Sequence, residues 1–220
     1  MNIERQIIQG NGFTIPSIML TPAHSRGAAV IVHGYGGCKE ELLGFAWRVA
    51  ESGITACVID LRGHGEHELP LDGNMILDVE TAIQYCRQFG KVTAIGHSVG
   101  GRLALLSSAD YIIGLSPALS KNFGNQTQKT INSVRGYRVR EIRPNILFET
   151  LNALPEWRSA GGDAIGIIIG ERDVPEIISK SNELKAKGVS VTQIDKALHS
   201  DIFLLEETFQ KVNNQLNEWF

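Results

Sequence analysis

Val92-Thr93-Ala94-Ile95-Gly96-His97-Ser98-Val99-Gly100-Gly101-Arg102 is the stretch on which the reading of the chain turns. A short apolar, β-branched run enters a glycine-flanked turn, and a helical pattern follows over Arg102–Ala109, so the stretch reads as strand, sharp turn, helix. Glycines on either side of Ser98 remove Cβ atoms that would clash in so tight a bend. Working outward, the same unit comes twice before it. Ala28-Ala29-Val30-Ile31-Val32 leads into His33-Gly34-Tyr35-Gly36-Gly37 and a helical pattern over 40–51. Ile54 to Ile59 leads into Asp60-Leu61-Arg62-Gly63-His64-Gly65 and a helix near 74–89, with Ile76, Val79, Ile83 and Cys86 on its apolar side. Further strands are expected at 111–115, 164–169 and 189–194, the last followed by a C-terminal helix. Strands without polar alternation, separated by helices, are those of a sheet covered on both faces, so the fold class is α/β with a mostly parallel, doubly wound sheet of about eight strands. Ile3–Gln9 and Thr14–Leu20 flank Gly10-Asn11-Gly12 and predict an antiparallel hairpin at the N-terminus.

The 220 residues suffice for one sizeable core, and a single domain over 1–220 is expected. Between Ser116 and Gly162 the strand rhythm gives way to a polar stretch with Asn122, Gly124, Asn125, Gln126 and Gln128, then a helix around Asn145–Leu154. This interval reads as a short cap over the site, within 117–160. A hydrophobic content of 43% with 20% charged residues argues against disorder, and a net charge of −3 leaves no basic excess for a nucleic-acid backbone or an anionic bilayer. No run approaches the roughly 18 apolar residues that a membrane span requires. Cys38, Cys57 and Cys86 are odd in number and scattered, which points to neither a disulfide framework nor a metal cluster. With no apolar signal core in Met1 to Gln6, the expected location is cytoplasmic.

Gly96-His97-Ser98-Val99-Gly100 matches G-x-S-x-G in the context that gives the pattern weight, an apolar strand before it and a helix after it. Ser98 is the candidate nucleophile. A serine hydroxyl needs a base to take its proton, and that base needs an acceptor to hold one tautomer. His199 follows the last strand at its carboxyl end, the edge where open parallel sheets bind ligands. The other five histidines have weaker claims, and His97 reads as packing beside the turn. Asp173 follows the strand ending near Ile169 and completes the chain order serine, acid, histidine; Asp60 also follows a strand but precedes Ser98. Asp201 stands too close to His199 in sequence and reads as a cap for the terminal helix. The oxyanion donors expected are the backbone N–H groups of Val99 and Tyr35, the latter in the glycine loop after the first parallel strand. Neither G-x-G-x-x-G nor a Walker lysine is present, which argues against a nucleotide site.

Together, the His33-Gly34-Tyr35-Gly36-Gly37 loop, the Asp60-Leu61-Arg62-Gly63-His64-Gly65 turn, the Ser98 elbow, Gly170-Glu171-Arg172-Asp173 and Leu198-His199 resemble the α/β-hydrolase superfamily, among its small esterase, dienelactone-hydrolase-like and serine-aminopeptidase-like members. The resemblance covers nearly the whole chain. It implies acyl-enzyme chemistry on a small acyl substrate with no metal and no organic cofactor, and a structural role for the Asp60 segment. Ester or thioester hydrolysis leads; amide or peptide cleavage on the same triad and a non-catalytic ligand-binding module are the alternatives. An aspartate at position 98 would have implied a dehalogenase or epoxide hydrolase. Oligomeric state is not legible in the sequence.

Overall fold

The computed structural model describes residues 1–158 and 164–220. Among them eight strands form one sheet: β1 (Asn2–Gln9), β2 (Thr14–Thr21), β3 (Ala28–Val32), β4 (Thr55–Ile59), β5 (Val92–His97), β6 (Tyr111–Leu115), β7 (Ile165–Arg172) and β8 (Val191–Leu198). Their order is β1-β2-β4-β3-β5-β6-β7-β8. β2 pairs antiparallel with both β1 and β4, and every pairing from β4 to β8 is parallel. The expected class is therefore the one observed, with the N-terminal hairpin as its antiparallel margin.

Continuous apolar strands are explained by burial on both faces. Along β3, Ala28, Val30 and Val32 point into one core and Ala29 and Ile31 into the other. The first core is closed by α2 (Met75–Cys86) and α3 (Val99–Leu106), through Met75, Val79, Ile83 and Leu103; the second by α1 (Leu43–Glu51) and α7 (Glu206–Trp219), through Phe45, Val49, Val212 and Leu216. Each such side chain contributes about 1.5–3 kcal/mol by leaving water.

The remaining helices are α4 (Asn125–Arg135) and α5 (Ile146–Ala153), both in the interval between β6 and β7, and α6 (Pro175–Ala186). The interval read as a cap is thus two helices; its last residues, 159–160, lie outside the described ones. α5 buries Ile146, Leu147, Phe148 and Leu151, whereas α4 buries none of its residues. Its apolar residues are only Ile131 and Val134, too few beside the polar stretch around Gln126 to read as a helical period. Helix α3 starts at Val99 and not at Arg102. The glycines that read as turn are helical, and Gly100 has to be glycine because a Cβ there would lie 2.5 Å from the carbonyl oxygens of Val32 and His33. Bare backbone lets the first turn of α3 press onto the end of β3.

Candidate active site

The chain winds from β3 outward to β4 on one side and to β5, β6, β7 and β8 on the other, so its direction reverses between β3 and β5. Crevices form at such a reversal, beyond the carboxyl ends of the strands. Ser98 leaves β5 there with φ 55 and ψ −114, a conformation that side chains avoid and that holds only when its surroundings impose it. Three backbone bonds do so. Ser98 N–H donates to the Leu115 carbonyl at 2.9 Å, and its own carbonyl accepts from Arg102 N–H at 3.1 Å and Ala118 N–H at 2.9 Å. Gly96 is equally constrained, since a Cβ would stand 2.1 Å from the Gly100 oxygen.

The loop after β8 carries His199 to this point. Its Nε2 is 3.1 Å from Ser98 Oγ and its Nδ1 is 2.7 Å from Asp173 Oδ1. With Nδ1 protonated toward the carboxylate, Nε2 is left to accept from the serine hydroxyl. The Asp173 side chain is fully buried. Burial alone would raise its pKa, but hydrogen bonds from His199, Ser116 Oγ and the Val174 N–H, with the charge of His199, outweigh burial and hold the carboxyl below its ordinary value. Asp60, the sequence competitor, lies elsewhere: it is buried and accepts from the Lys39 N–H at 2.8 Å, Lys39 Nζ at 2.7 Å and the Glu66 N–H at 2.9 Å. Asp201 accepts from the Leu198 N–H at 2.7 Å and so closes the histidine loop, whereas α7 begins only at Glu206; its expected capping role is corrected accordingly.

Two side chains beside this triangle were not singled out for it. Ser116, directly after β6 with φ 46, donates to the second oxygen of Asp173. His97 places Nε2 2.8 Å from the His199 carbonyl oxygen, and its ring lies against those of His199 and Phe203 at 4.8 and 4.9 Å between centroids. Burial drives the His97 pKa down to about 3, so the ring is neutral and its Nε2–H donates to that carbonyl. It packs beside the turn, as read, and also braces the loop that presents His199.

The loop after β3 forms the opposite wall. Gly34 comes so close that a Cβ would meet Ser98 Cβ at 3.1 Å. Tyr35 follows it, and Val99 opens α3, where the first N–H groups have no partner within the helix. The Tyr35 ring lines the cleft, with its hydroxyl donating to Glu141 Oε1 at 2.7 Å; burial and that carboxylate both push its pKa up. Around these groups lies a cleft of about 240 Å³ whose wall is mostly apolar. Phe123, Ile131 and Val134 line it from the start of the cap and α4, and Leu147, Phe148 and Leu151 from α5; Trp157 packs on the core and does not line the cleft. Arg102, fully buried on α3, donates to the carbonyls of Ala118, Ser120 and Leu154 and so ties the segment before α4 and the end of α5 to the helix behind Ser98. No grouping of metal-ligating side chains occurs among the described residues, and no described helix is long and apolar enough to cross a membrane.

A family model described as "Serine aminopeptidase, S33" matches residues 23–165. Among curated proteins, Ethanol acetyltransferase 1 of Eremothecium cymbalariae is 31% identical over 93 residues, 41% of this chain and 26% of that protein. The protein of the same name from Kluyveromyces marxianus is 30% identical over 89 residues, 39% and 24% respectively. The match thus covers about a quarter of those relatives' length. Among solved structures, an esterase of Pyrobaculum calidifontis aligns with TM-score 0.65 at 20% identity, over 98% of this chain and 83% of that one. Est1E of Butyrivibrio proteoclasticus, solved with ferulic acid, aligns with TM-score 0.70 at 16% identity over 97% of each chain. These likenesses establish the shared fold.

Proposed function

The chain belongs to the serine aminopeptidase family of α/β-hydrolases, and on that footing we propose that it is a serine hydrolase cleaving a carboxylic ester or thioester of a small acyl substrate through an acyl-enzyme at Ser98. The observation that carries this reading is the continuous contact from Ser98 Oγ to His199 to buried Asp173, at 3.1 and 2.7 Å, at the floor of an apolar cleft. In the first step Ser98 Oγ attacks the carbonyl carbon while His199 Nε2 takes the hydroxyl proton, and Asp173 steadies the resulting imidazolium. The carbonyl oxygen, now negative, is received by the N–H groups of Val99 and Tyr35, the former at the positive end of α3. Collapse expels the leaving oxygen or sulfur, which takes the proton from His199. Water then attacks the acyl group, gives a proton to His199, and the acid departs as the proton returns to Ser98. Every group used belongs to the chain itself, with neither metal nor organic cofactor.

A second reading concerns the acceptor. The two curated relatives are named as ethanol acetyltransferases, and an alcohol attacking the same acyl-enzyme in place of water would transfer the acyl group without any further residue. Intact-protein mass after treatment with a fluorophosphonate, beside Ser98→Ala, tests the common core of both readings. A single adduct on the unmodified chain and none on Ser98→Ala is the expected result; no adduct on folded protein overturns the hydrolase reading in favour of a non-catalytic binding module. p-Nitrophenyl esters of increasing chain length, with the matching anilides, then separate esterase from amidase. Formation of ethyl ester in added ethanol measures the transfer branch.

A further inference from the structure

Among the residues lining the cleft, only Glu41 and Arg135 carry fixed charge, and their charges are not matched to each other. Arg138 Nη1 stands 2.5 Å from Glu41 Oε1 and satisfies that carboxylate, whereas Arg135 Nη1 is 3.9 Å from the same oxygen and makes no hydrogen bond among the described residues. Arg135 is nonetheless held in place. Its stem lies on Gly36, where a Cβ would meet Arg135 Cβ at 2.7 Å, so the end of α4 closes directly over the glycine loop. The side chain is 37% exposed, which leaves the guanidinium open to a ligand in the cleft. Its neighbours there, Ile131 and Val134 on the same helix and Phe148 opposite, are apolar. The guanidinium therefore borders a surface poor in competing acceptors, and a weakly paired cation so placed binds an anion more firmly than one on an open polar face. An ammonium has no such welcome, since the one carboxylate lining the cleft is already paired with Arg138.

Building on the hydrolase reading, we propose that Arg135 is a specificity residue that receives a carboxylate carried by the substrate, which makes carboxylate-bearing esters or thioesters, such as half-esters of dicarboxylic acids, the favoured class. Arg135 takes no part in bond making; it anchors the far end of the substrate while the scissile carbonyl lies on Ser98.

Paired substrates test this, each pair differing only in whether one carboxyl is free or methylated. Mono-p-nitrophenyl glutarate against its methyl ester places the charge on the acyl side; 4-carboxyphenyl pentanoate against its methyl ester places it on the leaving group. The readout is the ratio of kcat/KM within a pair, compared between the unmodified enzyme, Arg135→Gln and Arg135→Lys. A charge-assisted hydrogen bond supports a preference of about 10- to 100-fold for the free carboxylate in one arm. That ratio should collapse toward one in Arg135→Gln, persist in part in Arg135→Lys, and fall with added salt. Ratios near one in both arms, or a preference that survives Arg135→Gln, overturn the proposal. Fluorophosphonate labelling of Ser98 keeps the two failures apart: labelled enzyme without a charge preference defeats only the role of Arg135, whereas unlabelled folded enzyme defeats the hydrolase reading beneath it.

Discussion

Asp173 has no exposed side-chain surface, and its two oxygens are shared among His199, Ser116 and the N–H groups of Gly170 and Val174. Those donors keep the carboxyl ionised despite burial, and an ionised carboxylate is what fixes the Nδ1–H tautomer of His199. Asp173→Asn preserves shape but offers an amide where an acceptor is needed, so kcat for ester hydrolysis should fall by about 10³- to 10⁴-fold with the fold intact by circular dichroism. A variant hydrolysing at an undiminished rate would remove Asp173 from the acid role. Ser98, Asp173 and His199 could be singled out as candidates in the sequence because each directly follows a strand, and a parallel sheet brings the carboxyl ends of its strands to one edge. Ser116 follows β6 and His97 ends β5, but no motif marks what they do, which rests on partners 57 and 102 residues away; Arg135 follows no strand and meets the glycine loop from a helix. Contacts between segments so distant leave no periodicity or spacing to read.

At the scale of elements, the elbow depends on how closely α3 approaches β3. Gly100→Ala would push a methyl group to 2.5 Å from two carbonyl oxygens of the backbone, where no flexible side chain can yield. Overpacking of this kind destabilises by about 1–3 kcal/mol, so the urea midpoint of Gly100→Ala should drop and labelling at Ser98 should be lost. Gly44 is the matched control. It lies in α1 with nothing within 4 Å of its absent Cβ, and Gly44→Ala should raise stability by about 0.4–1 kcal/mol. Equal effects at the two positions would mean that backbone freedom, and not close approach, sets the requirement at Gly100. The sequence marked both as glycines, yet only packing separates them. The same distinction explains α4, which was missed: it has no fully buried residue, and besides Ile131 packed against the core it is held by polar contacts, Glu176 accepting from the Gly124 N–H and Thr127 Oγ1 at one end and Glu41 meeting Arg135 and Arg138 at the other. Strands and core helices carry their pattern in the sequence because burial writes it there; α4, whose only apolar residues are Ile131 and Val134, both lining the cleft, carries little of it.

Across the whole molecule, buried histidines set the response to acid. Burial lowers the pKa of His33, and drives those of His64 and His97 down to about 3; at His64 the neighbouring His33, Arg140 and His67 also oppose protonation. In the unfolded chain each titrates near 6.5. Above about pH 7 both states are neutral at these sites and stability is full. As the pH falls from about 6.5 toward 3 the unfolded chain takes up protons that the folded one refuses, so the fold loses stability, by at most about 1.4 kcal/mol per pH unit for each histidine. The depressed carboxylates act lower on the scale: Glu66, down to about 2, and Asp173 keep their contributions above the ordinary carboxylate range of about 4 and lose them progressively as the pH falls from there toward their own folded values. The interval from pH 7 to 5 therefore belongs to the histidines. Urea midpoints measured at pH 7.5, 6 and 5 should fall steadily. His64→Leu, which removes one of these sites outside the Ser98–His199–Asp173 triangle, should make that decline shallower whatever it does to the midpoint at pH 7.5. An unchanged slope in His64→Leu would show that His64 takes up its proton inside the fold, in which case the ring-to-ring contact with His33, 4.9 Å between centroids, accommodates a charge.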